Sequence, residues 1–304
     1  MDEFEFIKSL RCLSPNGVEG IGDDGALFAD KYIIAKDIMA SGVHFLKTAP
    51  IDLIIHKLFT SNVSDIAAMG GRGLWALLGV SVPKGFDLSA LAEAIKKASE
   101  FYGLKLIGGD TTESSSEMFF SMTVIGKSGE RLLLRSGAKV GDILYLSRPT
   151  GLSRAALEKE LDGADYPLED FYHYKINAEI DVGAFLGSRN DVTSAADVSD
   201  GLGVDVGRIA AASNVKIIVD YNSLNFPVLQ FLGDKSVDYA ISSGEEFALI
   251  FTVKNQNQAN FEKDFFKAFG IQPLKIGKVF DGSGCFAEKN GIVYDISNVG
   301  YKHF

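Results

Sequence analysis

The chain has 304 residues, of which 46% are hydrophobic, and a net charge of −10. That length suggests roughly two domains, and the composition is ample for packed cores. The acidic balance and the lack of a basic face exclude nucleic acid as a partner, and they make a bare phosphate ligand awkward unless cations intervene.

Two cysteines, Cys12 and Cys285, with no CxxC spacing, argue against a disulfide framework or a zinc site. The acidic start MDEFEFIKSL lacks a signal-peptide pattern, and no apolar run approaches the ~18 residues of a membrane span. A cytoplasmic protein with no membrane association is therefore expected.

Residues 26–38 alternate apolar and polar and read as a hairpin turning at Asp30-Lys31. From Pro50 a helix is predicted, since proline suits a first turn. Leu53, Ile54, Leu58 and Ile66 fall on one face, and Gly70-Gly71 ends it. WALLGVSV (75–82) reads as a buried strand. Asp87 and Ser89 are cap candidates for a helix through Phe101, with Leu91, Ile95 and Ala98 inward and Gly103 as its stop. LKLIGG (104–109) and MFFSMTVIGK (118–127) follow as strands, closing a βαβ-rich first half near Arg135. The turn cluster SGAKVGD (136–142) sets the expected boundary between domains 1–137 and 138–304. Beyond it, ILYLS (143–147) reads as a strand and LSRAALEKEL (152–161) as a helix. Leu202, Val206, Ile209 and Ala210 form the inner face of another helix, and VKIIVD (215–220) and FALIFTV (247–253) read as strands.

Six aspartates sit in short Gly-, Ser- or Asn-bearing segments beside these apolar runs. They are Asp24 in GIGDDGA (20–26), Asp37 in IIAKDIMASGVHF (33–45), Asp65 in SNVSDIAAMG (61–70), Asp110 in LIGGDTT (106–112), and Asp197 and Asp200 in ADVSDGLGVD (196–205). Any one alone reads as a turn residue, a cap or a polar helix face. Six together suggest a site that gathers several hard cations, because magnesium takes oxygen ligands and uses carboxylates together with substrate phosphates. Two unit charges 4 Å apart interact by about 4 kcal/mol at an effective dielectric near 20, so carboxylates facing a polyphosphate require metal between them.

Other phosphate and nucleophile motifs fail. Gly20-Ile-Gly22-Asp-Asp-Gly25 has the GxGxxG spacing but runs into a strand-like segment, and its aspartates stand where a pyrophosphate would lie. Gly126-Lys127-Ser128 lacks the P-loop's leading glycine, since Ser121 stands there. There is no GxSxG or HExxH. His44, seven residues after Asp37, is a candidate substrate contact, whereas His56 reads as a satisfied boundary residue.

In this order, and with LRSGAKVGD (134–142), SSGEEFALIFTV (242–253) and GYKHF (300–304), the segments resemble the thiamine-monophosphate kinases. These belong to the superfamily that includes aminoimidazole ribonucleotide synthetase and selenophosphate synthetase. The resemblance spans nearly the whole chain. It implies an α/β, two-domain aminoimidazole ribonucleotide synthetase-like fold, with mixed sheets and packed helices in each domain and N-terminal domains paired in a homodimer. It also implies ATP-dependent phosphorylation of thiamine monophosphate to thiamine diphosphate, by direct in-line transfer assisted by several Mg2+ ions.

Carried over residue by residue, Asp24, Asp37, Asp65, Asp110, Asp197 and Asp200 match the magnesium ligands. Tyr102, Gly109, Asp110, Arg135 and Ser199 match the ATP contacts. His44, Glu245 and Tyr301 match the contacts to thiamine monophosphate, with Tyr301 expected on a thiamine ring and Glu245 offsetting the thiazolium charge. Two rivals are a ligase of the same superfamily and a non-catalytic metal- or nucleotide-binding module.

The chain departs from the pattern at Ala35 and Lys36, where hydroxyl residues are common, which leaves the number of metal ions open. One expectation is a Lys36 ammonium beside Asp37, in space an ion would otherwise share. The other is a lysine pointing away, since strand neighbours face opposite ways.

Overall fold

A computed structural model describes Glu5, residues 22–29 and residues 31–301. Cys12, Gly20 and Asp30 lie outside the described residues. The first sheet has the order β1-β2-β5-β3-β4 and consists of β1 (Ala26–Phe28), β2 (Tyr32–Ala40), β3 (Gly71–Pro83), β4 (Lys105–Ser114) and β5 (Phe119–Ser128). The predicted hairpin forms, with Phe28 opposite Tyr32.

α1 (Ile51–Ala68) begins after Pro50 and stops before Gly70, whose φ of +76° only glycine adopts easily. α2 (Leu88–Tyr102) is capped by Asp87, whose Oδ1 accepts from the Ser89 and Ala90 N–H groups at 2.9 and 3.0 Å, and it ends at left-handed Gly103. Both helices join one core with Ile33, Ala35, Leu78, Val80, Met122 and Val124 of the strands. Alternation sends the other strand side chains to an outer face, where Ile38 and Leu77 remain 57% and 40% exposed. β3, α2 and β4 form a parallel crossover that leaves β4 as an exposed edge.

The second sheet has the order β12-β11-β8-β10-β6-β9-β7. Its strands are β6 (Ile143–Leu146), β7 (Val192–Asp197), β8 (Lys216–Asp220), β9 (Leu249–Val253), β10 (Leu274–Phe280), β11 (Gly284–Lys289) and β12 (Ile292–Asp295). The accompanying helices are α3 (Leu152–Asp162), α4 (Ile180–Gly187), α5 (Leu202–Ser213), α6 (Ser236–Ser242) and α7 (Gln258–Phe269). The predicted inner face of α5, Leu202, Val206, Ile209 and Ala210, is buried. β9 starts two residues later than its apolar run, because Glu245 and Phe247 hold φ values of +55° and +52° and the chain turns there instead of extending.

One segment ties the two sheets together. Phe171, Tyr174 and Ile180 insert into the core around α1. Gly183 of α4 lies so close to α1 that a Cβ there would sit 2.2 Å from the Ala67 carbonyl oxygen. No helix among the described residues is long and apolar enough to cross a membrane.

Candidate metal and phosphate site

The carboxylates converge where α1, the end of β7 and the segment before β1 meet. Asp24, Asp65 and Asp197 each place an oxygen within 4.8 Å of the others. Asp24 Oδ1 accepts from Arg135 Nη2 at 2.6 Å, and Asp197 Oδ2 accepts from Ser64 Oγ at 2.6 Å. Their second oxygens, Asp24 Oδ2 and Asp197 Oδ1, are buried with no hydrogen-bond partner. Burial, then repulsion from Asp37, Asp197 and Asp24, raises the Asp65 carboxyl well above the carboxylate range, against the pull of Arg135. Burial and the Asp24 charge do the same to Asp197. Buried, mutually repelling, unpaired carboxylate oxygens are costly, and an all-oxygen set of this kind fits a hard divalent cation such as magnesium.

Asp37 adjoins this cluster. It lies on the face of β2 turned to α1, and its N–H donates to Asn62 Oδ1 at 3.1 Å. Burial raises its carboxyl, a Ser61 hydrogen bond opposes that, and Glu245, Asp200 and Asp24 add repulsion. Asp200 stands nearby in the turn between β7 and α5, paired with Arg208 at 2.5 Å. Asp205 shapes that turn: its Oδ2 accepts from the N–H groups of Ser199, Asp200 and Gly201 at 3.0, 3.0 and 3.2 Å. Sequence reasoning missed Asp205 and Arg208. The available signal was an acid four residues beyond Gly201, where a carboxylate reaches back to a helix start.

Asp110 is placed differently. It lies on exposed β4, level with Gly79. Gly79 shares the outer face with Leu77, opposite to the face that carries Asp37. A single chain therefore does not bring Asp110 into the cluster. Gly109 is required by packing, since a Cβ there would lie 2.0 Å from the Leu78 carbonyl oxygen.

Lys36 takes the second of its two expected directions, away from Asp37. Its Nζ donates to Ser121 Oγ at 2.6 Å on that same outer face, so it does not occupy space beside the Asp37 carboxylate. Tyr102 is buried, with its hydroxyl 2.6 Å from Thr60 Oγ1 and its ring stacked on His56. Arg135 is engaged with Asp24 and the Gly22 carbonyl, while its Nε is buried and unpartnered. The Ser199 carbonyl accepts from the Glu245 N–H at 2.7 Å.

The residues matched to the acceptor lie on the same side. His44 Nδ1 accepts from the Ala40 N–H at 3.1 Å. Tyr301, half exposed, donates its N–H to the Asp200 carbonyl at 2.8 Å. Glu245 Oε2 lies 2.6 Å from Lys57 Nζ and 2.9 Å from His173 Nε2. Burial alone would raise the Glu245 carboxyl, but the Lys57 ammonium outweighs it and holds it below the ordinary carboxylate range. Glu245 is therefore already ion-paired within the protein, so any charge that it offers a thiazolium is shared with Lys57. A separate open cavity of about 430 Å³, lined by Lys275, Lys278 and Phe280 among others, contains none of these carboxylates.

Residues 22–128 match the AIR synthase related protein N-terminal domain, and residues 139–289 match the corresponding C-terminal domain. The chain is 34% identical over 252 residues to the thiamine-monophosphate kinase of Pyrococcus horikoshii, covering 81% of this chain and 78% of the relative. It is 31% identical to that of Bacillus subtilis, covering 100% of both. Among solved structures, AaThiL complexed with AMPPCP and TMP is 29% identical, with a TM-score of 0.85 over 100% of this chain and 97% of that one. The hydrogenase maturation protein HypE, in a HypE–HypF complex, shares the fold at 18% identity and a TM-score of 0.79, covering 95% of this chain and 98% of that one.

Proposed function

The chain belongs to the thiamine-monophosphate kinase family, and we propose that it works at the cleft where Asp24, Asp37, Asp65 and Asp197 gather. It is an ATP-dependent kinase of thiamine diphosphate biosynthesis, converting thiamine monophosphate to thiamine diphosphate. The observation that carries the site is the cluster of three carboxylates with two buried oxygens left unpartnered.

Asp24, Asp65 and Asp197 would hold magnesium, with Asp37 and Asp200 at the edge of the same cleft. Bound there, the metal would supply positive charge to offset the repulsion between phosphates. Arg135 adds a fixed guanidinium beside Asp24. The acceptor is already a phosphate, so the residues need only position it in line and balance charge, without a strong base or a covalent nucleophile. His44, Glu245 and Tyr301 are assigned to thiamine monophosphate, and Tyr102, Gly109, Asp110, Arg135 and Ser199 to ATP.

Pairing of two chains through the outer face of the first sheet is supported by its exposed apolar residues, Ile38, Leu77 and Phe119. A boundary between residues 137 and 138 is supported by the two family matches, of which one ends at 128 and the other begins at 139. A cytoplasmic location is supported by Cys285, which is free and buried.

The test is ADP formation by the purified protein with ATP, magnesium and thiamine monophosphate, together with detection of thiamine diphosphate. Turnover that requires thiamine monophosphate is expected. Nucleotide binding without turnover would favour the non-catalytic module, and turnover only with a ribonucleotide amide would favour the ligase.

A further inference from the structure

Lys57 is a buried lysine that the chemistry above does not use. It sits on α1 with 1% of its side chain exposed, between Ile55 and Leu58 of the core. A buried ammonium is costly unless its three protons are all placed. Here they are: Nζ lies 2.5 Å from the His44 carbonyl oxygen, 2.6 Å from Glu245 Oε2 and 2.8 Å from His173 Nε2. His173 Nδ1 lies 2.8 Å from Ser153 Oγ, and burial together with Lys57 lowers the imidazole's pKa, which keeps it neutral. A neutral ring that accepts on Nε2 donates from Nδ1 to Ser153.

The three partners come from three separate parts of the chain: the loop after β2, the turn at residues 172–174 and the turn before β9. Two of them, His44 and Glu245, are the residues matched to the acceptor. They are 201 positions apart in sequence and share one ammonium. Glu245 is also held at a φ of +55°, a conformation a non-glycine residue keeps only when its surroundings fix it.

We propose that Lys57, backed by His173, is the positioning residue of the acceptor site. It sets the spacing between the His44 loop and the Glu245 carboxylate, and it neutralises Glu245 before substrate arrives. The inference rests on the reading that His44 and Glu245 touch thiamine monophosphate. It implies that the acceptor is recognised by shape and hydrogen bonding at this point, with no free anion waiting for its cationic ring.

The test compares Lys57→Met, Glu245→Gln and the double variant by KM for thiamine monophosphate, KM for ATP and kcat. Lys57→Met is expected to raise KM for thiamine monophosphate at least about 10-fold while KM for ATP moves less than about 2-fold. The double variant is expected to be no worse than Lys57→Met, since the pair acts as one unit. If Glu245→Gln raises KM for the acceptor and Lys57→Met does not, the positioning role is wrong and the acceptor assignment stands. If neither variant changes it, the acceptor assignment itself fails. Equal losses for ATP and acceptor would make Lys57 a general structural post and overturn the proposal. Should Lys57→Met not fold, His173→Leu and His173→Gln carry the test. The leucine variant is expected to raise KM for the acceptor several-fold, and glutamine, which keeps an oxygen for the ammonium, is expected to restore it. Equal KM values in the two would overturn the proposal.

Discussion

Asp65 shows how much chemistry one residue's surroundings carry. On α1 it has Ser61 one turn back and would pass for a polar helix position, yet the fold brings Asp37, Asp197 and Asp24 against it and pushes its carboxyl upward. Removing one of several repelling carboxylates relieves the apo protein while depriving it of a metal ligand. Asp65→Asn is therefore expected to keep or raise Tm without divalent ions, to lose the Tm increase that magnesium gives the wild type, and to lower kcat by at least about 10²-fold. Near-wild-type turnover at saturating magnesium would remove Asp65 from the metal set. The aspartates were legible in sequence because carboxylates in Gly- and Ser-bearing segments have no apolar packing role. Lys57 was not, because a lysine within an apolar helix face gives no hint of which distant carbonyl and carboxylate will meet it. Lys36 was ambiguous between two directions, and strand alternation resolves it toward Ser121.

At the scale of elements, local chemistry was readable and long-range placement was not. Asp87 and Gly103 bound α2 as their residue types require, and the β1–β2 hairpin follows from alternation. The sequence offered no comparable signal for α4, which lies beyond the expected boundary at residue 137 and yet packs on α1. Gly183 makes that approach possible, and two effects compete in replacing it. Alanine would favour an isolated helix by about 1 kcal/mol, but its Cβ would sit 2.2 Å from the Ala67 carbonyl oxygen, on backbone that cannot swing aside. Overpacking of this kind costs about 1–3 kcal/mol, so the clash should win. Gly183→Ala is expected to lower Tm. An unchanged or raised Tm would mean that α4 does not depend on this close contact.

For the whole molecule, the open question is how Asp110 joins a cluster that lies on the other side of its sheet. The pairing register puts Asp110 level with Gly79, on the face of Leu77 and Lys36, whereas Asp37 faces α1. The outer face is apolar and exposed around Ile38, Leu77 and Phe119, the character expected of a surface covered by another chain. If Asp110 ligates metal, as the resemblance implies, it must do so in the partner's site. Asp110→Asn and Asp65→Asn homodimers would then both be inactive, while a mixed dimer would hold one intact site, with Asp65 from one chain and Asp110 from the other. Random exchange of equal amounts should restore roughly a quarter of the sites of the wild-type dimer, because half the dimers are mixed and each has one working site of two. The measurement is turnover after co-refolding the two variants, with dimer formation checked by sedimentation. No recovery from a confirmed mixed dimer would show that Asp110 does not act across the interface, and it would leave Asp24, Asp65 and Asp197 as the core of the metal site.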